Sequence, residues 1–522
     1  LDQGRVSLFH GVTSSGKTEV YAHFIREALT KNKQVLYLVP EIALTTQLIG
    51  RLKKYFGEQL LVYHSRFSDR ERVELWLKLI ESPDRPWLIV GARSSIFLPF
   101  GELDLIIVDE EHETSFKQYD PAPRYHARDS AIWLGQHFSA KVILGSATPS
   151  IESIFNAETD KYGLVKLDKR FADLPMPLIE CVDLKDARRK KKMHGPFSNQ
   201  LLEEIKASLD HRKQVILFQN RRGFSTLIQC QNCGQVTQCK NCDISMTYHK
   251  HSDHLRCHYC GYSRKVPQRC PACQSYEIKA LGFGTEKLEE ELKLLIPEAK
   301  VQRMDLDTTR RKNAYERILA DFEDGEIDVL VGTQMVTKGL DFDRVALVGI
   351  LNADTMLNFP DFRSHERAFQ LMAQVAGRAG RKGSRGKVLI QTSEPYHSIV
   401  RQVIDNDYDA MCKDQLYERR NFKYPPYCRL IRITLKYREV NTLKDVATRV
   451  GRQLRDQLGN RVLGPEFPLV ARLRNQYQME ILIKLESGIS LRKVKQLIYH
   501  QVSITLAEEP VRLQVIFDVD PY

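Results

Sequence analysis

The stretch Gly11-Val12-Thr13-Ser14-Ser15-Gly16-Lys17-Thr18 fits GxxxxGK[ST], a loop whose backbone amides close around phosphates. In that pattern the lysine reaches the β/γ-phosphates and the last hydroxyl helps to hold Mg²⁺. Gly11, Thr13, Ser14, Ser15, Gly16, Lys17 and Thr18 are therefore the candidate residues for binding a nucleoside triphosphate, with Thr18 also a candidate magnesium ligand. An apolar run ending at Phe9 precedes the loop and an amphipathic segment from Val20 to Leu29 follows it. That is the strand, loop and helix context the motif requires.

Outward from the loop, short and nearly continuous apolar runs at 34–39, 87–90, 105–108 and 141–144 predict parallel strands covered on both faces. The alternation of strand and helix resumes beyond a polar linker near 183–197, with strands at 215–219, 329–331, 345–350 and 388–391. We expect an α/β chain with a first parallel-sheet domain over 1–182 and a second over 183–229 and 275–410. A Cys-rich insertion at 230–274 interrupts the second, and a C-terminal α+β domain fills 411–522. In that last domain, helices at 442–458 and 491–506 and strands at 430–437, 461–474, 479–485 and 511–519 give the order βαββαβ of a split-βαβ sandwich. It carries no catalytic signature and reads as a docking unit. Arg472, Arg474 and Lys484 are candidates for a DNA-facing surface, against the plainer reading of solvated strand faces.

Asp109-Glu110-Glu111-His112 directly follows the run 105–108, which puts an acidic pair at the C-terminal end of a strand, where ligands bind in open α/β sheets. Asp109 is expected to orient Mg²⁺ and Glu110 to polarise the attacking water, because phosphoryl transfer asks the protein to position a nucleophile and stabilise charge. For His112 two readings stand: a coupler between nucleotide and nucleic acid, or a surface histidine capping a helix. Gln374, Arg378 and Arg381, within Gln374-Val-Ala-Gly-Arg-Ala-Gly-Arg381, repeat at helix-compatible spacing. They would face the γ-phosphate from the second domain, Arg381 as the arginine finger; the plainer reading is a helix C-terminus whose arginines complement the macrodipole. Since Lys17 and Arg381 come from different domains, hydrolysis would require the domains to close. The segments 38–47, 91–97 and Gly332-Thr-Gln-Met-Val-Thr-Lys-Gly-Leu-Asp341 place hydroxyl or cationic groups just after strands, in position to hold phosphates. Gly339 and Asp341 of the last are assigned to the nucleotide. Between 115 and 128, Phe116, Tyr119 and Tyr125 interleave with Lys117, Arg124 and Arg128, which suits base stacking on a single strand as well as it suits local packing.

Cys230-x-x-Cys233, Cys239-x-x-Cys242, Cys257-x-x-Cys260 and Cys270-x-x-Cys273 supply thiolates for two tetrahedral Cys₄ zinc sites. Disulfides and an iron–sulfur cluster are the rivals, the former disfavoured in a reducing cytosol. We favour nested pairing, with Cys230, Cys233, Cys270 and Cys273 outside and Cys239, Cys242, Cys257 and Cys260 inside; sequential and interleaved pairings also satisfy the spacing. Saturated sites of this kind are structural, and metal would supply most of the folding energy of so coreless an insert.

Composition bounds the rest. The 522 residues are 42% hydrophobic and 28% charged, as expected of soluble globular protein, and no apolar run is long enough to span a bilayer. The chain opens Leu1-Asp-Gln-Gly-Arg without a secretory leader, so we expect a cytosolic protein trimmed of N-terminal domains. A net charge of +12 favours polyanionic partners, although the densest run, Arg188-Arg-Lys-Lys-Lys192, reads as an exposed loop.

These motifs, together with Gly11 to Tyr21, Val39-Pro-Glu-Ile-Ala-Leu44, Phe116-Lys-Gln118, Pro123-Arg-Tyr-His-Ala-Arg128, Asn220-Arg-Arg-Gly-Phe224 and the paired cysteines, resemble the PriA family of primosomal helicases over nearly the whole chain. The resemblance implies two tandem RecA-like domains and a superfamily 2 motor that uses ATP and Mg²⁺, with two Zn²⁺ in the insertion. It implies translocation 3′ to 5′ on single strands, action on forked DNA or D-loops, and replication restart in the bacterial cytoplasm at the nucleoid. Partners implied are single-stranded and forked DNA, the single-stranded-DNA-binding protein, and primosome and replicative helicase loading proteins, with no membrane. From the resemblance we also expect the family's N-terminal DNA-binding portion to lie outside the sequence given. Ser14 also stands where many relatives have glycine; a negative φ there would let the loop tolerate it, and phosphate binding is expected to survive. A duplex translocase, a non-catalytic assembly platform and an RNA helicase are the alternative readings.

Overall fold

The computed structural model describes residues 6–40, 46–64, 67–170, 175–220, 228–240, 245–249, 254–257, 260–280, 285–305, 308–309, 314–337, 342–380, 385–509 and 511–522. Its first sheet is parallel throughout, in the order Leu60–Tyr63, Leu88–Gly91, Gln34–Leu38, Leu103–Asp109, Lys141–Ser146, Val6–Gly11, Gly163–Leu167. Side chains of a strand alternate between faces, so one continuous apolar run feeds two cores. Val35 and Tyr37 join Tyr21 and Ile25 of the helix Lys17–Thr30 on one face, while Leu36 and Leu38 join Ile106, Val108 and Leu144 on the other. Among the described residues no helix is long and apolar enough to cross a membrane.

The second sheet is also parallel, in the order Val301–Met304, Val329–Gly332, Gln214–Phe218, Val345–Ile350, Lys387–Thr392, Leu178–Asp183. Its edge strand begins at Leu178, so the expected boundary at 182/183 falls inside an element of the second lobe. Likewise the helix Tyr408–Asn421 spans the expected boundary at 410/411, and its Tyr408, Met411 and Cys412 are buried in the motor's own core. Both misplacements have one cause: residues 178–183 and 411–421 are locally ordinary, and only their packing partners show which lobe owns them.

The insertion is closed at its base by Ile228–Cys230 pairing antiparallel with Ile278–Ala280, and carries a small sheet of Thr247–His249, His254–Arg256 and Ser263–Lys265. The C-terminal sheet is antiparallel in the order Val462–Glu466, Gln476–Glu486, Cys428–Tyr437, Gln514–Val519, backed by the helices Val440–Leu458 and Leu491–Ala507. This is the split-βαβ order, but the strand expected over 461–474 is broken into Val462–Glu466 and Arg472–Leu473. Arg472–Leu473 instead forms a hairpin tip with Gln476, turned by left-handed Arg474 and Asn475.

Candidate nucleotide site and zinc centres

The phosphate loop leaves the C-terminal end of the strand Val6–Gly11 and enters the helix Lys17–Thr30 through Gly16, whose φ of +84° makes the turn. Lys17 Nζ donates back to the Gly11 carbonyl at 2.6 Å, so the ammonium lies over the loop. Ser14 has φ +63°, which corrects the expectation of a negative value. A non-glycine residue there costs roughly 1–2 kcal/mol, so Ser14→Gly is expected to raise stability by about 1 kcal/mol with phosphate binding retained. The urea midpoint should rise at unchanged slope; a lower midpoint would mean that contacts of the Ser14 hydroxyl outweigh the strain.

Asp109 ends the strand Leu103–Asp109 and accepts hydrogen bonds from Tyr37 Oη at 3.1 Å and Tyr21 Oη at 3.4 Å. Tyr21 gets there because Gly145 has no side chain; a Cβ at that position would collide with the Tyr21 hydroxyl. Burial pushes the Asp109 carboxyl up to about 6 and the adjacent Glu110 charge adds to this, while Lys17 and the Tyr37 hydroxyl oppose it. A carboxylate buried beside a second one, with phenols and an amide for company, suits a hard divalent cation; Asp109 and Thr18 are the residues that would hold it. Glu110 is itself held in a left-handed conformation, φ +51°.

His112 is not the surface residue of one reading: it is 6% exposed, and its Nδ1 lies 2.7 Å from Ser146 Oγ and 3.6 Å from Glu110 Oε2. Ser146 Oγ in turn accepts from the Thr148 amide, so the acid turn and Gly145-Ser146-Ala147-Thr148 form one linked unit. Glu111 is wholly buried, paired with Arg128 at 3.0 Å and accepting from the Ser150 amide and the Ser153 hydroxyl.

A cavity of about 280 Å³ between the lobes is lined by Thr13, Glu110 and Thr148 from the first and by Gln374, Gly377 and Arg378 from the second. Gln374 is in the last turn of the helix Ser364–Ala376, and a Cβ on Gly377 would sit 3.1 Å from Thr13 Oγ1. The end of that helix thus abuts the phosphate loop. Arg381, Gly339 and Asp341 lie outside the described residues.

The aromatic and basic stretch after the acids is largely packing. Phe116 and Lys117 are each 1% exposed. Lys117 Nζ bonds Asp518 Oδ1 at 2.7 Å and the carbonyls of Val519, Asp520 and Arg124, which ties the loop to the C-terminal domain. Arg128 is spent on Glu111, and Tyr119 Oη donates to the Tyr522 carbonyl. Lys484 is likewise turned inward, onto the Phe422 carbonyl and the Tyr424 ring, whereas Arg472 and Arg474 are exposed. Sequence reading also missed a buried ionic cluster between lobes, in which Arg419 bonds Glu366 at 2.6 Å and Glu152 pairs with Arg363 at 2.7 Å. A charge in an amphipathic helix reads as solvent-facing until its partner from a distant segment is known.

In the insertion, the Sγ atoms of Cys230, Cys233, Cys270 and Cys273 lie within 4.8 Å of one another, and Cys239, Cys257 and Cys260 form a second group; Cys242 lies outside the described residues. Sulfur separations of 3.6 Å for Cys230 and Cys273, 3.4 Å for Cys233 and Cys270, and 3.6 Å for Cys239 and Cys260 are far too long for disulfides. They approach the edge of about 3.8 Å of a ZnS₄ tetrahedron with bonds of about 2.3 Å. The local chain is shaped for this: Gly234, Gly261 and Gln274, each directly after the second cysteine of a pair, all have positive φ. Each donates its amide to the carbonyl of the first cysteine, closing a knuckle around the thiolates. The zinc centres fit their residues.

Two parallel-sheet lobes, with a phosphate loop and acid turn sharing a cavity with Gln374 and Arg378, define the helicase class of proteins. Family models agree, matching a DEAD/DEAH box helicase domain over 1–156 and a helicase conserved C-terminal domain over 273–383. Two narrower models match as well: the PriA DNA helicase Cys-rich region over 239–265 and the primosomal protein N C-terminal domain over 420–522. The chain is 42% identical over its whole length to replication restart protein PriA of Bacillus subtilis, of which it spans 64%. It is 39% identical to that of Haemophilus influenzae, spanning 70%, and 38% identical to that of Rickettsia felis, spanning 79%. The chain belongs to the PriA family of replication restart proteins.

Proposed function

We propose that the chain is the ATP-driven DNA motor of replication restart, moving 3′ to 5′ on a single strand and acting on forked or D-loop DNA in the bacterial cytoplasm. The observation that carries this reading is the interlobe cavity, where Thr13 and Glu110 meet Gln374 and Arg378. There the phosphate loop cradles ATP and Lys17 reaches its β/γ-phosphates, while Glu110 aligns the attacking water. Mg²⁺ held by Thr18 and Asp109 would neutralise phosphate charge. Gln374, Arg378 and Arg381 approach the γ-phosphate from the second lobe, and Gly339 and Asp341 contact the nucleotide. The zinc insertion and the C-terminal domain are docking surfaces for DNA, the single-stranded-DNA-binding protein and the primosome and helicase-loading proteins.

Steady-state ATP hydrolysis without nucleic acid and with single-stranded DNA, forked DNA, duplex DNA or RNA tests the reading. Strong stimulation by DNA bearing a single-stranded 3′ tail is expected. Equal stimulation by blunt duplex would instead indicate a duplex translocase, preference for RNA an RNA helicase, and no turnover in a folded, zinc-loaded chain an assembly platform.

A further inference from the structure

A second cavity, of about 170 Å³, lies at the seam between the lobes. Met356, Phe359 and Leu371 give it apolar walls, and Asn220, Gln334 and His112 set polar groups around them. Asn220 follows the strand Gln214–Phe218, and its Oδ1 is buried with no hydrogen-bond partner among the described residues. A buried acceptor left without a donor costs on the order of 1–3 kcal/mol, so this position favours a ligand that brings N–H groups. Arg367 also lines the cavity but is paired with Asp361 at 3.2 Å, so among the described lining residues no uncompensated cation is offered to a phosphate.

Size and chemistry then narrow the occupant. An apolar cavity of about 150 Å³ takes up one benzene ring, so this one has room for a single six-membered heterocycle. A flat ring with apolar faces and N–H groups on its rim is a nucleobase, and unstacked bases are read by side chains on that rim. Two lining residues also belong to the nucleotide site. Gln374 borders both cavities, and His112 reaches Ser146 at 2.7 Å and Glu110 at 3.6 Å.

We infer that this cavity receives one unstacked base of a single strand held across the lobes, and that its occupancy acts through His112 and Gln374 on Glu110. The inference rests on the motor function proposed above and names the part of the strand that the motor reads. A base in the seam contacts both lobes at once, so it reports to the nucleotide site whether the strand is engaged.

The test is ATP turnover against concentration of an oligothymidylate and of an abasic oligomer with the same number of phosphates, at fixed low salt. The wild type is compared with Leu371→Phe, which fills the cavity, and with Asn220→Ala, which removes the amide without overpacking and so guards against a filled variant that misfolds. For the wild type, half-maximal stimulation should need about tenfold more abasic oligomer. In both variants the oligothymidylate should fall to the abasic level, with the abasic response and the unstimulated rate unchanged. Folded variants that keep the wild-type ratio between the oligomers overturn the proposal, because the bases are then read elsewhere. Equal responses of the wild type to both oligomers overturn it too, because phosphates alone are then read. A wild type that neither oligomer stimulates overturns the motor function, and the base site with it.

Discussion

Glu110→Gln is expected to lower maximal ATP turnover by about 10²- to 10⁴-fold, the range associated with loss of a positioned proton acceptor. Nucleotide affinity should stay within a few-fold of wild type. The substitution keeps the size of the side chain, and the glutamate it replaces lies in the interlobe cavity rather than on the phosphate loop. The amide cannot take a proton from water, and it removes the negative charge 3.6 Å from His112 Nδ1. It also removes the neighbouring charge that helps to raise Asp109, so the Asp109 carboxylate ionises more readily in the variant. Asp109 and Thr18 are both retained, so magnesium binding should persist, which separates this variant from one that simply empties the site. Single-turnover hydrolysis beside equilibrium binding of a fluorescent ATP analogue makes the comparison. A fall of less than tenfold would move the role of water activation to another group.

Removing zinc is expected to have the second large effect, confined at first to the insertion. Cys230→Ser and Cys257→Ser each take one thiolate from a different cluster, and a structural zinc site contributes on the order of 10 kcal/mol to folding. Outside the thiolates the buried core cluster among the insertion's described residues is Ile228, Met246 and Leu255, too little to hold the knuckles alone. The sheets of the motor have separate cores and should persist. Limited proteolysis should then cut within 231–277 while ATP binding remains. Arg256 of the insertion pairs with Glu466 of the C-terminal domain, so that contact should loosen as well. The native chain should release two zinc ions to a colorimetric chelator and show no visible absorption. One equivalent, or the absorption of an iron–sulfur cluster, would refute the two-zinc assignment.

The sequence by itself determined the parts whose physics is short-range. A phosphate loop needs its glycines, lysine and hydroxyl within eight consecutive residues, and Gly11 to Thr18 stand at the end of a buried strand as the pattern requires. Strands covered on both faces are legible as unbroken apolar runs, and so both parallel sheets could be read before their order was known. Paired cysteines announced metal, and the turn after each described pair is local too. Tertiary structure decided whatever depends on partners distant in the chain. It assigned Leu178–Asp183 to the second lobe and gathered the cysteines into nested groups. It also spent Lys117 and Arg128 on Asp518 and Glu111 rather than on a strand of DNA. A lysine carries the same charge in a loop whether it faces solvent or a carboxylate hundreds of residues away. Only the fold brings that carboxylate to it, and only the meeting of two lobes makes a cavity that neither sequence segment contains.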